Sequence, residues 1–227
     1  MITIKNLSKS YGDVKALNEV NLHFDTGNIY GVVGPNGAGK TTLFNCIAGL
    51  IPYVGEIYYE VGDLRNHMGF LQTEPYFMSL ITGREYLQLL CNARNIPFKG
   101  IEEANIFDLP LNRFASTYST GMKKKLALTG VLIQKNDVFI LDEPFNGVDI
   151  ESNLLITEII KTLKSMHKTM IISSHILSSL TDICDYFIVL KEGKVDRHVD
   201  KKAYPEIENE MRSAEIGEKM ERVKKLV

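Results

Sequence analysis

Cysteine is scarce in this chain. Its three cysteines, Cys46, Cys91 and Cys184, are scattered through 227 residues and show no metal-ligand spacing. They read as small buried apolar residues of a reducing compartment. Charge of one sign is also missing: the formal net charge is −2, so no global electrostatic case exists for binding nucleic acid. No apolar run approaches the roughly 20 residues that a membrane-spanning helix needs. The opening Met1-Ile2-Thr3-Ile4-Lys5 lacks the pattern of a secretory signal. If the protein serves a membrane, a separate partner chain is expected to cross it. Internal repeats and low-complexity segments are absent as well. What remains is an ordinary globular composition, 44% hydrophobic and 24% charged, over a length that suits one α/β domain, here residues 1–227.

One stretch organises the rest. Gly34-Pro35-Asn36-Gly37-Ala38-Gly39-Lys40-Thr41-Thr42 fits the pattern Gly, four residues, Gly-Lys-Thr. The apolar run Ile29-Tyr30-Gly31-Val32-Val33 precedes it, and a helix-like run from Leu43 to Ala48 follows. A Gly-rich turn alone is weak evidence; the strand–loop–helix setting makes it a phosphate-binding loop. The glycines let successive N–H groups turn toward phosphate oxygens, and the helix aims its positive dipole end there. Lys40 is placed to reach the β- and γ-phosphates, and the Thr41 hydroxyl to ligate magnesium.

Downstream, the continuous apolar run Val138-Phe139-Ile140-Leu141 reads as a parallel strand buried on both faces. It ends in Asp142-Glu143-Pro144, which puts two acids where α/β sheets bind ligands. Asp142 is expected to help hold magnesium, and Glu143 to polarise an attacking water. The strand-like run from Thr169 to Ser174 ends at His175, in the corresponding place, within reach of a γ-phosphate. The other histidines, His23, His67, His167 and His198, have no motif context and read as surface or packing residues.

The flanks read as follows. Ile2 to Lys5 and Val20 to Phe24 alternate like half-buried strands, with a turn-rich stretch at residues 8–13 between them. Tyr11, in that stretch, either faces a purine or is simply an aromatic beside a hairpin turn. Gln72-Thr73-Glu74-Pro75 must be a loop. Residues 75–118 read as a small helical insert between core segments 1–74 and 119–200. Short helices are expected within it at residues 106–109 and 111–114, broken by Pro110. Met122, Leu126, Val131 and Leu132 form a helical stripe. Ser119 and Gly121 stand at that helix's start, suited either to an anion or to plain capping. Lys123-Lys124-Lys125 reads as a solvated helix face. Residues 183–190 and 194–199 are expected as a hairpin about Gly193. The charged tail, residues 201–227, has apolar residues spaced for a terminal helix.

Taken together, from Ile2 to about Val199, these stretches resemble the ATP-binding subunit of ABC transporters. The motifs stand in that family's order: Walker A at Gly34 to Thr42, Q-loop at Gln72, signature at Tyr118 to Met122, Walker B at Val138 to Glu143, D-loop at Asn146 to Asp149 and switch histidine at His175. The resemblance implies the ABC ATPase fold: a P-loop NTPase core with a mainly parallel sheet, an N-terminal antiparallel β subdomain and a small helical insert. It implies ATP and Mg2+ as ligands, with Tyr11 stacking on adenine. It implies catalytic roles for Glu143, His175 and Gln72, and magnesium contacts from Thr41, Asp142 and Gln72. Aligned from Gly69-Phe70-Leu71, the Q-loop position instead falls on Thr73. The family works as a head-to-tail pair of ATPase subunits, so Ser119 and Gly121 would act on the partner's nucleotide. The pair sits on the cytoplasmic face of the membrane through a separate permease, and no nucleic-acid partner is expected. Thr120 and Met122 depart from the usual signature Gly and Gln. A Thr-Gly-Met signature with Thr82-Gly83-Arg84-Glu85-Tyr86-Leu87 in the insert looks most like bacterial exporter-type members. The alternative is a soluble ATPase of the same type that acts on ribosomes or DNA without transport.

Overall fold

The computed structural model describes residues 1–97, 100–174, 178–206, 209, 213, 220 and 224, the side chains of 178 and 179 excepted. In chain order the elements are β1 (Ile2–Tyr11), β2 (Val14–Phe24), β3 (Ile29–Val33), α1 (Lys40–Ile47), β4 (Val54–Tyr59) and β5 (Met68–Leu71). Next come α2 (Gly83–Ala93), α3 (Ile101–Ala104), α4 (Thr120–Ile133), β6 (Val138–Asp142) and α5 (Ile150–Ser165). The last are β7 (Thr169–Ser173), α6 (Ser178–Thr181), β8 (Tyr186–Lys191) and β9 (Lys194–Asp200).

Two sheets result. A three-stranded antiparallel sheet has the order β2-β1-β4. A six-stranded sheet has the order β5-β6-β7-β3-β8-β9, parallel except for β9. Every residue of β3, β6 and β7 is buried, as expected of parallel strands covered on both faces. Their side chains alternate between two apolar layers. Ile29, Val33, Phe139, Leu141, Met170 and Ile172 join one, with residues of α4 and α5. Tyr30, Val32, Val138, Ile140 and Ile171 join the other, with α1 and the antiparallel sheet. Cys46, Cys91 and Cys184 are buried and free, as their composition suggested.

The β1–β2 hairpin is longer than the alternation of its residues indicates. It extends to a two-residue turn at Gly12-Asp13, with Tyr11 opposite Val14, so the expected turn-rich stretch is mostly strand. Register shifts between Ile4 and Leu7 and again between Leu7 and Lys9, together with positive φ at Asn6 and Glu19, interrupt the pattern from within. In the insert, the helices expected at 106–109 and 111–114 do not form; helix is found instead at α2 and α3, with a 3-10 turn at Ala115–Thr117. Asp108 has φ 50°, and the Asn105 side chain binds both the N–H and the carbonyl of Leu109, satisfying groups a helix would otherwise use. At the far side, the strand before Gly193 begins at Tyr186, not Ile183. Most of the tail expected as a helix lies outside the described residues.

Candidate nucleotide site

The phosphate loop leaves the carboxyl end of β3, and α1 starts at Lys40 with Gly39 as its N-cap. Two loop glycines are forced by close backbone approach. A Cβ on Gly34 would lie 2.2 Å from the Leu190 carbonyl oxygen, and one on Gly39 2.6 Å from that of Ala16. Both also have positive φ, 150° and 104°. Lys40 Nζ donates to the carbonyls of Gly34 at 2.7 Å and Pro35 at 3.1 Å, so the ammonium lies inside its own loop. Burial lowers its pKa, while Glu143 and Asp142 oppose that shift.

Asp142 ends β6 and is buried. Its Oδ2 accepts from the Thr41 hydroxyl at 2.9 Å and the Thr73 hydroxyl at 2.7 Å, and its Oδ1 from the Ser173 hydroxyl. The first turn of α1, the loop after β5 and the end of β7 therefore converge on the one carboxylate that ends β6. They open onto a cleft of about 410 Å³ lined by Thr41, Asn45, Phe70, Gln72, Thr73, Glu74 and Asp142. Gln72 and Thr73 both face this cleft, and Thr73 makes the direct bond to Asp142. Glu143 follows with φ 53°, a left-handed conformation unusual for a residue with a side chain. Its N–H donates to the carbonyl and hydroxyl oxygens of Ser173, and its carbonyl accepts from Lys124 Nζ at 2.8 Å.

Other expected site residues lie elsewhere. Ser119 caps α4, its Oγ accepting from the Met122 N–H at 3.2 Å. Neither Ser119 nor Gly121 lines the cleft. Gly121 instead packs on the loop after β6, where an added Cβ would meet the Gly147 carbonyl oxygen at 2.7 Å. Tyr11 is exposed near the hairpin tip, with Lys9 Nζ 5.0 Å from its ring centre. His175 lies outside the described residues.

The lysine run is corrected by the structure. Lys124 is only 1% exposed. Lys125 binds Asp149 Oδ2 at 2.7 Å, while Asp149 Oδ1 caps α5 by accepting from the Ser152 N–H. The signal for Lys124 was helical spacing: it shares a face with Leu128 and Val131, four and seven positions on, both buried.

The chain is similar to several known proteins. The ABC transporter family matches residues 17–146. The bacitracin transport ATP-binding protein BcrA of Enterococcus faecalis is 34% identical over 213 residues, covering 88% of this chain and 69% of its own. The lantibiotic transport ATP-binding protein SrtF of Streptococcus pyogenes is 34% identical over 210 residues, covering 86% of this chain and 89% of its own. A solved ATP-binding subunit of an ABC transporter superposes with a TM-score of 0.77 at 26% identity, over 88% of this chain and 90% of that one. The cassette MJ0796, solved as a dimer in a post-hydrolysis state with ADP and Pi, gives 0.79 at 23% identity, over 88% and 99%.

Proposed function

The chain belongs to the ABC transporter family as an ATP-binding and ATP-hydrolysing subunit, and we propose that its cleft residues divide the work as follows. The loop N–H groups and Lys40 hold the triphosphate. Glu143 accepts the proton of the water that attacks the γ-phosphorus, as the bond to the bridging oxygen breaks and ADP leaves. The convergence of Thr41 and Thr73 on Asp142 Oδ2, beside the phosphate loop, is the observation that carries this reading.

A magnesium ion fits that donor set. A hydroxyl and a carboxylate are hard oxygen ligands, and Mg2+ ordinarily takes only one or two protein ligands, the others coming from phosphate and water. Among the described residues no group of three or more His, Cys, Asp or Glu could build a complete cage, which suits an ion carried in by its nucleotide. Thr41 and Asp142 would hold it, with Gln72 and Thr73 at the cleft wall. When bound, it withdraws charge from the phosphoryl oxygens.

Ser119 and Gly121 lie away from the cleft, so we assign them to the nucleotide of a second ATP-binding subunit facing this one head to tail. A separate permease completes the assembly at the cytoplasmic face of the membrane. No described helix is long and apolar enough to cross a membrane. The loop after β5 exposes Tyr76, Met78 and Leu80 beside Gln72, apolar surface on which such a partner can rest. We take export as the direction; two relatives are named for transport of bacitracin and of a lantibiotic.

Glu143→Gln tests the chemical assignment. The variant is expected to bind ATP normally and to lose about a hundredfold or more in turnover, the usual share of a general base. Unchanged hydrolysis would remove Glu143 from that role.

A further inference from the structure

We propose that Lys124 is a positioning residue for the general base: its buried ammonium fixes the backbone of Glu143 and so aims the Glu143 carboxylate. The inference rests on Glu143 acting as the base.

Three observations carry it. First, Lys124 lies on the buried face of α4 and reaches Glu143. A lysine that is 1% exposed is rare, because an ammonium taken out of water is costly unless it meets strong partners. Second, the partner it meets is a single backbone atom of the residue that matters, the Glu143 carbonyl oxygen, at 2.8 Å. Third, Glu143 needs holding. A residue with a side chain persists at φ 53° only where its surroundings dictate the conformation. Here the Ser173 carbonyl and hydroxyl take the N–H from one side, and Lys124 takes the carbonyl from the other. Released from this clamp, the peptide after Glu143 can rotate toward ordinary φ and ψ, and the carboxylate turns with it.

The electrostatics agree. Burial lowers the Lys124 pKa, while Asp142, Glu143 and Glu74 oppose that shift by favouring the charged form. The same helix begins at Ser119 and Gly121, so it links the residues assigned to the opposite nucleotide with the base that serves its own.

The test compares ATP turnover and ATP affinity of the full chain with those of Lys124→Met, Lys124→Arg and Glu143→Gln. Methionine keeps the volume and removes the donor; arginine keeps a charged donor. Lys124→Met is expected to lose about a hundredfold in kcat, the scale on which misplaced catalytic groups act, with its KM for ATP and its affinity unchanged. Lys124→Arg is expected to recover most of that loss. Equal losses in Met and Arg, or a fall in ATP affinity that matches the fall in kcat, would show a merely structural lysine and overturn the proposal. Should Lys124→Met fail to fold, Lys124→Gln takes its place in the same comparison. Full turnover in Glu143→Gln would overturn the base assignment and this inference together, whereas a silent Glu143→Gln beside a fully active Lys124→Met overturns this inference alone.

Discussion

At the scale of single residues, the contact between α4 and the loop after β6 is closer than any side chain allows. Replacing Gly121 by Ala brings two effects into competition. Alanine favours a helix by up to about 1 kcal/mol over glycine. Against that, the new Cβ would lie 2.7 Å from the backbone carbonyl oxygen of Gly147, a neighbour that cannot simply rotate away. Overpacking of this kind costs about 1–3 kcal/mol, so the clash wins. Gly121→Ala is expected to lower the thermal unfolding temperature and to reduce ATP turnover; an unfolding temperature at or above that of the parent would show that the loop yields freely. The lysine run shows why some residues were illegible. A charge in a charged run reads as solvated, and only the positions of Leu128 and Val131 on the same face reveal that Lys124 points inward. The strand, loop and helix around Gly34 to Thr42 were legible because an apolar run, a cluster of glycines and a helical run follow one another there.

At the scale of elements, Asp149 joins two helices. It caps α5 through Ser152 and pairs with Lys125 of α4. Lys125 and the Ser152 N–H hold its carboxyl well below the ordinary 3.8. A carboxylate whose folded pKa is depressed adds stability that is complete above its unfolded value and is lost as pH falls through the folded one. Asparagine caps a helix about as well as aspartate, so Asp149→Asn removes the ion pair and spares the cap. Urea unfolding at stepped pH is expected to show a small, salt-sensitive deficit in Asp149→Asn at neutral pH that closes as pH falls below 3.8. A deficit that persists in acid would mean that the cap, not the charge, was lost. Elements were legible where burial is uniform, as in β3, β6 and β7. They were hidden where bulges break alternation in β1, or where Asn105 replaces helical bonds around Leu109.

At the scale of the whole molecule, the transport assembly proposed above calls for a partner. Affinity purification of the tagged chain from detergent-solubilised host membranes is expected to retain a multi-helix membrane protein in stoichiometric amount. Ribosomal or DNA-repair proteins in its place would turn the reading toward an ATPase that moves nothing across a membrane. The sheet order also bears on how the protein is made. β3, which launches the phosphate loop, lies between β7 and β8 and pairs with both, Val33 standing opposite Val189. On the ribosome that strand is synthesised early and must wait for most of the remaining chain before either neighbour exists. Until β7 and β8 have left the exit tunnel, the growing polypeptide has no assembled seat for a nucleotide, and its apolar β3 is left for chaperones to shield.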